Sequence, residues 1–155
     1  MGKETRKRTI HKTVRGVGNL DYVEMRNVPM TVDSELGNLI DSKTIQQIES
    51  SVAKALIQRN LPIRGQEVMY LRSILGLSQR DFAKELGLSH VAIFKWERAK
   101  KKPLDRVNEI AVKVFISGQL SLKITASLEA FVCRGMHPKR LVLDYAETSG
   151  RKAAA

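Results

Sequence analysis

Two short helices joined by a glycine turn are the feature that most restricts the fold of this sequence. Ser78-Gln79-Arg80-Asp81 has the form of a capping box, in which the serine hydroxyl and the aspartate carboxylate satisfy free amides at a helix start. Gly87 then allows a tight turn, and Ser89 can cap a second helix. The pattern predicts one helix from Gln79 and another from His90 to about Arg98.

The second of these helices has a buried and an exposed face. Ile93 and Trp96 are three residues apart and form the stripe expected to be buried. The opposite face carries two apolar and two cationic side chains: Val91, Phe94, Lys95 and Arg98. This combination suits the major groove of DNA, where cations donate to guanine and apolar groups contact thymine methyls.

Two sets of candidate DNA contacts follow from this arrangement. The candidates for base edges are Ser89, His90, Val91, Phe94, Lys95 and Arg98. The candidates for phosphates are Gln79, Arg80, Lys100, Lys101 and Lys102. Gln79 lies at a helix start, where backbone amides and the helix dipole favour an anion, so it is expected to position the protein rather than to read sequence.

The charge of the chain favours the same kind of partner. Twenty-seven Lys and Arg against 16 Asp and Glu give a net charge of +11 and a pI near 10.0. A polyanion is the expected ligand of such a surface. The basic stretch from Lys3 to Arg15 is open to two interpretations, an arm that reaches the minor groove or phosphates, and a solvated terminus.

Metal, cofactor and enzyme chemistry have no support in the sequence. Cys133 is the single cysteine, so no internal disulfide is predicted. The three histidines lie far apart in the chain: His11, His90 and His137. Asp33 and Glu35 are assigned to a polar turn, and the remaining acids are too dispersed for a metal-dependent nuclease. No catalytic residue, metal site or cofactor is therefore expected.

Three stretches of the central motif resemble the repressor-type helix-turn-helix of the XRE family, which includes Cro and the lambda repressor. They are Leu77 to Ala83, Gly87-Leu88-Ser89 and Ile93 to Glu97. A wider resemblance is to MqsA-type antitoxins, and it covers Gly18 to Val23, Ile48 to Leu56 and Ile63 to Arg72.

The resemblance implies a function. Proteins of this kind bind operator DNA as dimers, repress their own operon and often hold an mRNA-cleaving toxin, and the positions of Val91 and Lys95 face the bases. The paired zinc-binding cysteines of MqsA-type proteins are absent, so no zinc is expected.

The predicted fold is mainly α, a five-helix lambda-repressor-like domain with a small N-terminal β/helix extension and an extra C-terminal segment. Residues 1–18 are predicted to be a flexible basic arm, 19–60 a strand or hairpin followed by a helix, and 61–118 the helix-turn-helix domain. Residues 119–152 are the extra segment and our candidate for the dimer interface, and 153–155 have the composition of a cloning scar.

Local signals locate the elements around the motif. Tyr22 to Val28 is predicted to be an edge strand or part of a hairpin. Asp41 or Ser42 caps a helix that runs to about Arg59, and a helix that starts after Gly65 is ended by Gly76.

The segments after the motif give weaker signals. Pro103 suits the first turn of a helix whose apolar stripe is Val107, Ile110, Ala111, Val114 and Phe115. Pro138 opens a candidate short helix through Tyr145, although the period of the tail also fits a strand.

Two classes of function remain open. The first is a cytoplasmic, dimeric transcriptional repressor, with or without a toxin partner. The second is a protein-interaction module, in which the tail and the helix from Ile45 to Leu56 bind a protein and the helix-turn-helix is a scaffold. No apolar run approaches the roughly 20 residues of a spanning helix, so no membrane partner is expected.

Overall fold

A small β-sheet and a set of helices share one hydrophobic core. The computed structural model describes residues 7–122 and 135–148. The strands are β1 (Arg8–Arg15), β2 (Val23–Asp33), β3 (Gly37–Leu39) and β4 (Leu141–Asp144). The helices are α1 (Ser42–Gln58), α2 (Gly65–Ile74), α3 (Gln79–Glu85), α4 (His90–Arg98), α5 (Arg106–Gln119) and α6 (Tyr145–Thr148). The predicted mainly α fold with a small β extension is confirmed.

Strand β2 is the centre of the sheet. β1 pairs antiparallel along one edge of β2, while β3 and β4 occupy opposite ends of its other edge, β3 antiparallel and β4 parallel. The edge-strand prediction for Tyr22 to Val28 is therefore wrong, and the hairpin prediction is correct. The hairpin turn is held by Asp33 Oδ1, which accepts from the amides of Glu35 and Leu36 at 2.9 and 2.8 Å.

The basic arm predicted over residues 1–18 is a strand from Arg8 onward, so the prediction of a flexible arm is wrong there. Half-buried Ile10 and Val14 lie opposite Met30 and Met25 of β2. Two apolar residues are enough for a strand when its partner supplies the rest of the core, and the cations around them point to solvent. Residues 1–6 lie outside the described residues.

The tail returns to the sheet as β4 instead of forming a separate segment. Leu141 and Leu143 are buried and lie opposite Val23 and Met25 of β2. The helix predicted from Pro138 is therefore wrong up to Asp144, after which α6 makes a single turn. The dimer interface that we assigned to residues 119–152 stays a prediction, and residues 123–134 and 149–155, including the suggested scar, lie outside the described part.

The helix caps confirm the local predictions for α1 and α2. Asp41 is the N-cap of α1 and accepts from the amide of Thr44 at 2.8 Å. Gly76, with a φ of +66°, follows the end of α2 in the left-handed region that glycine tolerates best.

The prediction for α5 needs correction. The helix begins after Asp105, its N-cap, and not at Pro103. Val107 is 74% exposed, while Val112 and Ile116 are buried. The buried face also holds Lys113, whose ammonium donates to Glu109 and Asn60 at 2.7 and 2.6 Å. Because two charged residues are satisfied by local partners, they occupy core positions that a search for apolar residues misses.

A buried carboxylate joins three distant parts of the chain. Glu67, near the start of α2, is fully buried, and it accepts from the hydroxyl of Tyr22 at 2.8 Å and from the guanidinium of Arg64 at 2.7 Å. Its second oxygen accepts from the backbone amide of Arg64 at 3.0 Å. His137 Nε2 lies 2.9 Å from the same carboxylate. We call this set of four side chains the Glu67 cluster.

His137 links the segment before β4 to α2. Its Nδ1 lies 2.9 Å from the carbonyl oxygen of Pro138, while its Nε2 lies 2.9 Å from the carboxylate of Glu67. The ring also packs edge-on against Tyr22, with centroids 4.3 Å apart. The segment before β4 is thus tied to Glu67 of α2 by a polar contact and to Tyr22 by packing.

The Glu67 cluster makes stability depend on acid. Burial acts to raise the pKa of Glu67, but hydrogen bonds from Arg64 and Tyr22 outweigh it, and the net pKa is lowered. A carboxylate with a lowered pKa in the folded state contributes stability above its unfolded pKa. That contribution is lost as the pH falls through the folded value.

We expect Glu67→Gln to lower the free energy of unfolding at pH 7 by about 3 kcal/mol, because it leaves the partly buried guanidinium of Arg64 without its counter-charge. The deficit relative to the wild type should shrink as the pH falls below the ordinary glutamate pKa of about 4.3 and then through the lowered pKa of folded Glu67, because protonation removes the same charge that the substitution removes. Urea unfolding across this pH range measures both effects. The control is Glu147→Gln, whose side chain is exposed on α6 and whose substitution should change stability little. Equal stabilities of the wild type and Glu67→Gln at pH 7 would contradict the role of the cluster.

Candidate nucleic-acid interface

Helices α3 and α4 form the unit predicted from their caps. Ser78 Oγ accepts from the amide of Asp81 at 3.1 Å and donates to its carboxylate at 2.6 Å. Ser89 Oγ accepts from the amide of Ala92 at 3.3 Å. Between the helices, Gly87 adopts a φ of +67°, a conformation that a side chain at this position would strain. Both predicted helix starts are confirmed.

The exposed face of α4 is the one predicted from its periodicity. Ile93 is fully buried and Trp96 is partly buried against the core. All candidate base contacts on the helix are exposed: His90, Val91, Phe94, Lys95 and Arg98. At 100° per residue they span an arc of roughly 140°, close to half of the helix surface.

Two of the exposed residues are large and apolar. Val91 and Phe94 are 45% and 48% exposed. Val91 and Lys95 also line a groove between α4 and the segment that leads to α5, whose floor includes Trp96 and Leu104. The face therefore offers methyl and ring surface next to an ammonium, which is the combination needed to meet base edges and thymine methyls.

The candidate phosphate contacts lie at both ends of the α3 and α4 unit. Arg80 is exposed in the first turn of α3. Lys100, Lys101 and Lys102 are exposed in the turn after α4. Gln79 differs from expectation, because its side-chain amide donates to Glu97 at 2.7 Å and is only partly exposed. The side chain of Gln79 is therefore part of the framework of the site.

Sequence reasoning missed a buried ion pair behind the exposed face. Glu97 on α4 is 2% exposed and accepts from Arg72 of α2 at 2.6 and 3.1 Å and from Gln79 of α3 at 2.7 Å. Arg72 also donates to the carbonyl of Leu77, 2.8 Å away, before α3 begins. The signal was the spacing of Glu97, which lies four residues after buried Ile93 and hence on the same face of α4.

The lysine turn after α4 is held against the start of α2. The amide of Gln66 donates to the carbonyl of Lys100 at 2.9 Å, and the amide of Leu104 donates to the carbonyl of Ile63 at 3.0 Å. Gly65 is required here, because a Cβ at this position would lie 1.8 Å from the carbonyl oxygen of Trp96. These contacts between distant segments give the lysines a defined position, which no local pattern shows.

Comparison with known families identifies this unit. Residues 68–112 match the family model described as helix-turn-helix. The chain carries an XRE-type helix-turn-helix. This family consists of DNA-binding regulators, and the resemblance to it is confirmed. A search of curated proteins and a search of solved structures found no match to the chain.

The match leaves the flanking parts of the chain unassigned. It begins in α2 and ends in α5, so the β-sheet and α1 lie outside it. The resemblance to MqsA-type antitoxins stays a prediction. Within residues 7–122 and 135–148, no three His, Cys, Asp or Glu side chains cluster as metal ligands would. Among the same residues, no helix is long and apolar enough to cross a membrane.

The hydrogen bonds of Glu97 with Arg72 and Gln79 predict that the XRE-type helix-turn-helix loses stability when Glu97 is replaced. Glu97→Gln should lower the free energy of unfolding by about 3 kcal/mol, because Arg72 is left half-buried without its counter-charge. Thermal and urea unfolding measure the change. Glu85→Gln, exposed at the end of α3, is the matched control and should change stability by no more than about 0.5 kcal/mol. Equal effects of the two substitutions would show that the buried pair is not needed.

Proposed function

We propose that this protein is a sequence-specific transcriptional repressor that binds operator DNA as a homodimer in the cytoplasm. The observation that carries the proposal is the exposed face of α4 in an XRE-type helix-turn-helix, where Val91 and Phe94 are about half exposed beside Lys95 and Arg98. Large apolar groups at such a position gain from burial, and the major groove provides thymine methyls that bury them.

Each residue of the face has a proposed role. Lys95 and Arg98 donate to O6 and N7 of guanine, and Val91 and Phe94 contact thymine methyls. Ser89 and His90, at the start of α4, contact a base edge or a phosphate. The Ser89 oxygen accepts the cap hydrogen bond, and its hydroxyl hydrogen can donate to DNA without breaking that bond.

The phosphate contacts fix the register of α4 in the groove. Arg80 contacts the backbone at one side, and Lys100, Lys101 and Lys102 contact it at the other. The side-chain amide of Gln79 is bound to Glu97, so Gln79 contacts phosphate through its backbone amide. A two-fold dimer then places two copies of α4 about 34–36 Å apart, on half-sites one turn of DNA apart.

A second candidate function is that of an antitoxin that also represses its own operon. Two segments that resemble MqsA-type antitoxins, Gly18 to Val23 and Ile63 to Arg72, are joined in the structure by the hydrogen bond of Tyr22 to Glu67. This contact supports the idea that they act as one unit, beside which a toxin would bind. A toxin reading frame next to the gene, and a complex of the two products, would test it.

The competing function is a protein-interaction module in which the helix-turn-helix is a scaffold. The two functions differ in what they require of α4. A scaffold needs Ile93 and Trp96 in the core, whereas a repressor also needs Lys95 and Arg98 on the surface.

The first test selects duplexes from a randomised DNA pool with the full chain and measures affinity for the enriched site and for a scrambled duplex. We expect two half-sites one turn apart. Lys95→Ala should weaken the free energy of binding to the selected site by about 1–3 kcal/mol, because it removes a base contact. It should change binding to the scrambled duplex little. Lys54→Ala, exposed on α1, is the matched control. Failure to enrich any site, with equal weak binding to all duplexes, would support the scaffold.

A separate measurement examines the lysine turn. Lys101→Ala should weaken binding by similar factors on the selected and scrambled duplexes, and it should reduce the slope of log affinity against log salt by about 1. The reason is that a phosphate contact releases counterions but carries no sequence information. A loss confined to the selected site, with the salt slope unchanged, would assign Lys101 to a base contact instead.

A further inference from the structure

We propose that the outer edge of β1 binds an acidic, extended segment of a partner protein, which joins the sheet as a further strand. This surface is separate from the DNA-binding face. β1 makes its principal contacts with β2, and the helices of the XRE-type helix-turn-helix are not among its main neighbours. The proposal therefore does not depend on the identity of the DNA ligand.

The register of the sheet shows which peptide groups face the open edge. Antiparallel pairs alternate between those that exchange two hydrogen bonds and those that exchange none. His11 lies opposite Pro29, which has no amide hydrogen, so this is a pair of the second kind, and the neighbouring Ile10 and Lys12 bond to β2. His11 and Thr9 consequently direct their N–H and C=O groups away from β2.

Among residues 7–122 and 135–148, no strand covers the outer edge of β1. Within the described residues, β1 pairs with β2 alone. Six of its eight residues are exposed: Arg8, Thr9, His11, Lys12, Thr13 and Arg15. From Arg8 to Lys12, before the bulge between Lys12 and Val14, the register is regular, and this exposed stretch is a template for another strand because its peptide groups present donors and acceptors in alternation.

The charge of the edge selects the partner. From Lys7 to Arg15 the chain has four Lys or Arg residues and no acid. Arg15 forms an ion pair with Glu24, with 3.4 Å between its Nε and a carboxylate oxygen. No ion pair of the described residues involves Arg8 or Lys12. A second copy of β1 would place cations opposite cations, which is unfavourable, whereas an acidic strand would place carboxylates opposite them.

The backbone of the edge favours a peptide over nucleic acid. Phosphates offer acceptors only, so they could serve the cations and amides of β1 but not its outward carbonyls. A polypeptide strand supplies both donors and acceptors at the same spacing. Charge and backbone are therefore satisfied together by an acidic strand.

The test uses display of random twelve-residue peptides, selected on the full-length protein and compared with selection on His11→Pro. The proline removes an amide that β2 does not use and blocks strand addition at the open edge. We expect the wild type to enrich peptides with Asp or Glu at alternate positions, and His11→Pro to enrich none of them. The enriched peptide should protect the amides of Thr9 and His11 from hydrogen exchange.

Charge-reversed variants complete the test. The double substitution Arg8→Glu with Lys12→Glu should lower the affinity for the enriched peptide by about tenfold or more. The control Lys54→Glu, exposed on α1, should change this affinity by no more than about twofold. His11→Pro should retain its melting temperature and its affinity for DNA.

Three outcomes would overturn the proposal. One is equal enrichment by the wild type and His11→Pro. Another is loss of DNA affinity in the charge-reversed variant without any selected peptide, which would assign β1 to phosphate. The third is a dimer that dissociates on His11→Pro, which would assign β1 to a second copy.

Discussion

The buried carboxylate of Glu67 is the interaction on which the architecture of this protein depends. It lies at the start of α2, yet its partners come from the segment before β2 and from the segment before β4. A buried carboxylate is costly unless its oxygens are filled with hydrogen bonds, so the sheet must lie where Tyr22 and His137 can reach it. The sheet and the helix-turn-helix are therefore fixed relative to each other by a polar requirement as well as by their shared core.

The same region of α2 positions the proposed DNA-binding face. Arg64, which neutralises Glu67, immediately precedes the glycine that lets α2 approach the end of α4, and the next residue, Gln66, holds the carbonyl of Lys100. The lysine turn is thus hydrogen-bonded to Gln66, the residue next to Glu67 in the chain. On the other side, Arg72 near the end of α2 pairs with Glu97 of α4. The start and the end of α2 therefore both hold the C-terminal part of α4, the start through a backbone hydrogen bond to Lys100 and the end through the ion pair with Glu97.

How well sequence predicted this structure depended on how local the determining contacts are. The caps of α1, α3 and α4 use residues three positions apart, so Asp41, Ser78 and Ser89 identified them without knowledge of the fold. The parallel pairing of β2 with β4 joins Val23 to Leu141, and no local pattern reports a contact across that separation. The strand character of Arg8 to Arg15 was hidden by cations that a solvated edge accommodates. In α5, Ile110, Val114 and Phe115 pack against the core as predicted, but Lys113 and Glu109 satisfied each other in the core, so the apolar pattern indicated only part of the buried face.

The arrangement of charge explains how a protein with buried acids keeps a cationic surface for DNA. In the helix-turn-helix, Glu67, Glu97 and Glu109 are buried, and each is paired with a cation on its own or a neighbouring helix. In each pair the cation neutralises a buried carboxylate, which would be destabilising in the interior without a partner. The cations of α4 and of the lysine turn are left exposed, beside Val91 and Phe94. Because the interior pairs also fix the helices, the exposed cations are presented from an ordered backbone, and the ordering entropy lost when they meet DNA is mainly that of their side chains.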